Sequence, residues 1–195
     1  MRVYFFLFVI LAFPALLFAA GGAEGDSQQG YQGNTHVVIP YGVTLIDRDA
    51  GLRNKGLSIV TLPSSVLQIG NSAFDQNLLT SVTIPDSVIS IGDSAFQNNR
   101  LTSVFIGKNV TSIGDNAFSN NRLTSVTIPD NVTSIGRNAF GDNNDLRSIT
   151  IGPNVRIGSY SYPFPYYATE AITKNNNRAG TYTYDGQNWN YSPRR

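Results

Sequence analysis

The sequence contains no cysteine. That absence removes disulfides, thiolate zinc sites and cysteine nucleophiles together. It also removes the residue to which a bacterial lipoprotein attaches its lipid, so no acylated anchor is expected. Charge is scarce at 14%, and 14 basic residues against 13 acidic ones leave a net +1. Nucleic-acid binding needs a concentrated basic field, which this balance does not supply. There is one histidine, His36, with no carboxylate pair or nucleophile motif beside it. A glycine-rich phosphate loop, a nucleophile elbow and the glycine–aspartate nonapeptide of calcium β-helices are all missing. Asp86, Asp93, Asp115 and Asp130 are spread along the chain with Lys108 and Arg137 among them, at no metal-ligand spacing. The expectation is a protein that is not an enzyme and takes no cofactor and no metal.

Long apolar runs are also few. One stretches from Val3 to Ala20 behind the positive Arg2, and Ala19, Ala20, Gly21, Gly22 and Ala23 follow it as small residues suited to a signal peptidase. Residues 1–22 therefore read as a signal helix that is cleaved. The competing reading is a retained anchor, since the run approaches the ~20 residues that span a bilayer. Pro14 inside the run favours cleavage. Export follows, with membrane contact only through this segment before its removal. Residues 23–33, small and polar, read as a flexible leader.

What is abundant is repetition. Leu57, Leu79, Leu101 and Leu123 open segments 22 residues apart, and Leu146 follows 23 later. A fixed period of this length marks a solenoid. In the copy LTSVTIPDSVISIGDSAFQNNR, Val82-Thr83-Ile84 alternates as a strand does, and Pro85 ends it because it has no N–H to donate. Val88 to Ile91 is a second extended piece, closed by Gly92, which supplies either a positive φ or a close backbone approach. Asp93 and Ser94 are placed to cap one helical turn carrying Ala95 and Phe96, and the Gln-Asn-Asn-Arg stretch turns the chain back. Apolar columns recur as Val60, Val82, Val104, Val126 and Ile149, as Ile69, Ile91, Ile113 and Ile135, and as Phe74, Phe96, Phe118 and Phe140. Stacked coils make these columns continuous core ridges, with Phe96 expected over Phe118. No coil is stable alone. The fold expected over residues 34–158 is a mainly β leucine-rich-repeat solenoid with short helical turns, a right-handed horseshoe-like stack, and a monomer.

The motif L-T-S-V-T-I-P-D-x-V-x-S-I-G-x-x-A-F, present at Leu79 and Leu123, resembles the BspA-like (treponemal-type) leucine-rich repeat. The likeness runs from about Asn34 to Ile157. It implies a bacterial protein, exported and surface-displayed or secreted, with adhesion to host matrix proteins or other cells as the associated role. The family often places a cysteine late in the repeat; Asn77, Asn99, Asn121 and Asn143 stand there instead, suited to a ladder that satisfies buried turn amides. The first copy departs, with Asp47 at the corner glycine and Gly51-Leu52 where Phe is expected. The last departs at Val155-Arg156-Ile157-Gly158. Both read as end caps.

Residues 159–195 differ: seven of the ten tyrosines and the single tryptophan lie here. Gly180 to Tyr191 reads as a β-hairpin around Asp185-Gly186 as a two-residue turn, which would set Tyr182 opposite Trp189 and Tyr184 opposite Gln187. Tyr182, Tyr184, Trp189 and Tyr191 then share one face, either as a lid on the last coil or as an aromatic platform for a glycan.

Solenoids bind along the face built by successive strands, where fixed positions project outward. Those positions are His36 and Val38, Ile59 and Thr61, Ser81 and Thr83, Ser103 and Phe105, Ser125 and Thr127, and Ser148 and Thr150. Ile59 and Phe105 interrupt an otherwise polar grid. Residues Ile59 to Thr127 of this set are the candidate site for a protein ligand, with Phe105 either a contact anchor or a drift of the repeat that carries no role. The glycosylation-type triplets at Asn109 and Asn131 recur with the repeat, which accounts for them. A purely structural surface-layer role fits the same sequence.

Overall fold

A computed structural model describes residues 35–157 and 162–194. The expected signal peptide (1–22) and leader (23–33) lie outside the described residues. The strands are β1 (Thr35–Val38), β2 (Leu45–Ile46), β3 (Leu57–Thr61), β4 (Gln68–Ile69), β5 (Ser81–Thr83), β6 (Ser90–Ile91), β7 (Ser103–Phe105), β8 (Ser112–Ile113), β9 (Ser125–Thr127), β10 (Ser134–Ile135) and β11 (Ser148–Ile151). A helix, α1 (Tyr166–Lys174), and a hairpin of β12 (Gly180–Tyr184) and β13 (Trp189–Pro193) follow.

Each coil contributes one longer strand to a front face and one two-residue strand to a back face. The back strands form one parallel sheet in the order β10-β8-β6-β4-β2, with Ile46, Ile69, Ile91, Ile113 and Ile135 in register. The front strands pair as β1-β3, as β5-β7, and as β9-β11-β12-β13. Between the faces the apolar columns close the core: Val82 is 4% exposed and Ile84 fully buried. Phe74, Phe96, Phe118 and Phe140 stack ring over ring, 5.1–5.3 Å between centroids and within 11° of parallel. That spacing matches the ~4.8 Å separation of parallel strands, as stacking coils require. The repeat array is the expected solenoid.

The third side of each coil is not helical. Among the described residues, the repeats contain one helical piece, a 3-10 turn at Arg48–Ala50. Ser94 has φ of 56° and Asn98 also 56°, left-handed values that break any helix. The backbone instead bonds to the next coil, Ser72 N to Asp93 O at 2.8 Å and Phe74 N to Ala95 O at 2.8 Å. Asp93, expected to cap a helix, accepts through Oδ1 from Asp115 N, 2.8 Å away in the next coil. Coil-to-coil bonding satisfies the backbone here, so helical bonding within the coil is not needed.

Gly92 acts by close approach rather than by positive φ. A Cβ there would lie 2.4 Å from Asn71 Oδ1 and 2.8 Å from the Asn71 backbone nitrogen. The asparagine ladder is present. Asn99 Oδ1 accepts from Leu79 N at 3.1 Å, and its Nδ2 donates to Phe74 O at 2.9 Å and Phe96 O at 3.1 Å.

Past residue 157 the stack gains one more member. Phe164 lies 5.3 Å from Phe140, and Tyr162 O and Pro163 O accept from Asn138 N and Phe140 N at 3.0 and 2.6 Å. These residues take the place of another turn. α1, which the sequence did not announce, then packs Ala168, Thr169 and Ile172 inward. β12 pairs antiparallel with β11 and covers that end of the front sheet.

The hairpin corrects one expectation. Tyr182 pairs with Tyr191 and Tyr184 with Trp189, so the loop holds four residues, not two. Asp185 explains this: its Oδ1 accepts from Gln187 N at 2.9 Å and Asn188 N at 2.8 Å. The slip is by an even number of residues, so the four aromatics still share a face.

Candidate functional site

The front strands hold the outward side chains as their alternation requires. His36, Val38, Ile59, Thr61, Ser81, Thr83, Ser103, Phe105, Ser125 and Thr127 are all exposed, while Val37, Val60, Val82 and Val126 between them are buried. Ser148 and Thr150 are half-buried; β12 lies alongside them, and Thr150 Oγ1 sits 2.9 Å from Thr181 Oγ1. Register brings the positions into columns, with His36 beside Ile59, Val38 beside Thr61, and Thr83 beside Phe105. His36 Nε2 sits 2.9 Å from Thr61 Oγ1.

Three large apolar side chains stand out of this polar grid: Phe105 at 59% exposure, Val38 at 60% and Ile59 at 45%. Between β3 and β5, where no ladder joins the front strands, lies a cleft of about 360 Å³. Ile59, Thr61, Leu62, Thr83 and Pro85 line it, with Ser58, whose Oγ is buried without a hydrogen-bond partner. Sequence reasoning found Ile59, Thr61 and Thr83 but not Leu62 or Pro85. Their place follows from the break in the sheet, which no sequence signal marks.

The carboxylates at the coil edges serve the ladder. Asp86 accepts from Lys108 N at 3.0 Å, and that backbone N–H holds its carboxyl below the usual range. Asp115 accepts from Arg137 N at 2.6 Å, and Asp130 pairs with Arg194. Among the described residues, no group of three or more histidine or carboxylate side chains could hold a metal ion.

The aromatic face of the hairpin is turned onto the core. Tyr182 is 1% exposed, and Trp189 and Tyr191 pack against the core cluster. Burial pushes the Tyr182 phenol up, and its OH donates to Arg178 O at 3.0 Å. Arg147 stands over the Tyr184 ring at 5.5 Å. Of the four expected platform residues, Tyr182 cannot reach a ligand; the exposed aromatics of the cap are Tyr162, Tyr166 and Tyr167 instead.

Several solved structures are similar to parts of this chain. The pneumococcal vaccine antigen PcpA aligns at 22% identity with a TM-score of 0.55, over 61% of this chain and 31% of that one. A leucine rich cell surface protein from Faecalibacterium prausnitzii aligns at 27% identity and TM-score 0.44, over 62% of this chain and 48% of its own. A leucine-rich repeat protein from Eubacterium ventriosum aligns at 26% and 0.41, over 50% of this chain and 32% of its own. The chain thus spans less than half the length of each. No curated protein matches it. Residues 44–169 match the family model of the BspA type leucine rich repeat region, in 6 copies. That match covers well over half of the 195 residues, and the chain belongs to the BspA-type leucine-rich-repeat family.

Proposed function

We propose that this protein is an exported binding module, displayed on a bacterial surface or secreted, that holds a protein ligand on its front strands. The observation that carries the reading is Phe105: an aromatic ring 59% exposed on a rigid strand, beside Thr83 in a face of hydroxyls. Exposed rings on preformed sheets are good contact anchors, since burying one on a partner needs little ordering. Ile59 and the cleft beside it offer a second anchor point, with Thr61, Ser81, Thr83, Ser103, Ser125 and Thr127 as a polar surround. Family membership supports surface display and a role in binding rather than catalysis. Host matrix or neighbouring-cell proteins are the partners this reading favours.

The test is surface-immobilised binding to a panel of matrix and cell-surface proteins. Saturable binding is expected for at least one, and Phe105→Thr, which restores the residue found in neighbouring coils, should weaken it by about tenfold, roughly 1–2 kcal/mol. A panel with no saturable binder would sink the reading; unchanged affinity in the variant would clear Phe105 of the role.

A further inference from the structure

The six described tyrosines of the cap fall into two groups. Tyr182, Tyr184 and Tyr191 each donate their OH to a backbone carbonyl, of Arg178, Gly186 and Ala179, at 2.9–3.0 Å. These are structural. Tyr162, Tyr166 and Tyr167 stand 44%, 57% and 73% exposed, and their hydroxyls make no hydrogen bond to another described residue. Their rings touch one another, Tyr162 to Tyr166 at 5.7 Å and 33°, Tyr166 to Tyr167 at 5.3 Å and 80°.

The backbone beneath them is fixed. Tyr162 O accepts from Asn138 N of the last coil, and Phe164 N and O both bond Thr169 Oγ1, at 3.3 and 2.9 Å. Ala168, Thr169 and Ile172 then bury the other side of α1. Three contiguous rings are thus held out to solvent by a rigid support, which keeps the ordering cost of binding small. The charged pair on the helix itself, Glu170 and Lys174, closes on itself at 2.8 Å.

We propose that Tyr162, Tyr166 and Tyr167 form a ledge that binds a neutral pyranose glycan. The chemistry of the three rings selects this ligand. An aromatic face takes the C–H face of a sugar ring, and unpartnered phenol hydroxyls supply donors and acceptors for the sugar hydroxyls at the ring's rim. A quaternary ammonium needs rings set around it at a distance; rings already in contact at 5.3 and 5.7 Å leave no such space. A polyanion needs cations, and the one on this helix is paired. The ledge is separate from the front strands and does not depend on the protein-ligand reading.

The full chain is titrated calorimetrically with neutral oligosaccharides of glucose, galactose, mannose and N-acetylglucosamine, and in parallel with phosphatidylcholine vesicles. The expected result is saturable binding of at least one saccharide. Replacing both rings in Y166A/Y167A should weaken that binding about tenfold or more with the unfolding midpoint unchanged, while Phe105→Thr leaves it intact. If the double variant loses its fold, Tyr167→Ala repeats the test, since that ring is 73% exposed. No saturating saccharide, or equal affinity in the variants, overturns the proposal. So does vesicle binding that the variants lose, which would make the ledge a lipid contact.

Discussion

Asn121 answers four backbone groups at once. Its Oδ1 accepts from Leu101 N at 3.0 Å, and its Nδ2 reaches Phe96 O, Phe118 O and Ser119 O at 3.0–3.3 Å. It is 7% exposed, so water cannot replace the bonds. Each buried group left without a partner costs about 1–3 kcal/mol. Asn121→Ala is therefore expected to lower stability by about 3 kcal/mol or more, read from urea unfolding; a loss under about 1 kcal/mol would show that the ladder is dispensable. The sequence disclosed this residue's place because it recurs every 22 positions at Asn77, Asn99 and Asn143. It left two mechanisms open for Gly92, and the stacking of the coils decides between them, because the atoms it meets belong to Gly70 and Asn71 in another coil.

Among elements, the phenylalanine column shows where the sequence stopped speaking. Four members are spaced by 22, but Phe164 comes 24 residues after Phe140 and breaks the period. It still joins the stack at 5.3 Å and is 1% exposed. Truncating a buried Phe costs about 3–5 kcal/mol, and the position in the column decides where that cost falls. Phe164→Ala should loosen α1 and the hairpin first, with hydrogen exchange rising there while amides near Phe96 stay protected. Phe118→Ala should lower protection on both sides of it. Equal profiles for the two variants would contradict a stack in which each member is held mainly by its neighbours. The hairpin was legible as a hairpin, and its shared aromatic face as well. Its register was not, because Asp185-Gly186 is a strong two-residue turn signal and the winning interaction is the Asp185 side chain closing a wider loop. The outward columns of the front strands were legible from alternation alone. The cleft and the exposed tyrosines were not, since one depends on which strands fail to pair and the other on a helix carrying no strong periodic signal.

At the scale of the whole molecule, the C-terminal end of the stack is closed. β12 hydrogen-bonds β11 along four residue pairs, which converts the last edge of the front sheet into an interior strand. Unpaired parallel edges invite pairing between molecules. Deleting residues 178–194 should expose that edge together with the surface Tyr182 covers, so the shortened protein is expected to form larger assemblies in light scattering than the full chain at the same concentration. A shortened chain that formed no larger assemblies and kept an unchanged midpoint would remove the capping role of the hairpin.

The columns have a further consequence for how such a protein can change length. The joints among the coils that open at Leu57, Leu79, Leu101 and Leu123 repeat one another in the back sheet and core: an isoleucine pair, a phenylalanine pair, an asparagine bridging two turns. Copying or excising a block of 22 codons therefore rebuilds an identical junction and shifts the far end by one strand spacing, ~4.8 Å. Unequal recombination within the gene becomes a ratchet for reach, adding or subtracting rungs without asking any side chain to learn a new neighbour.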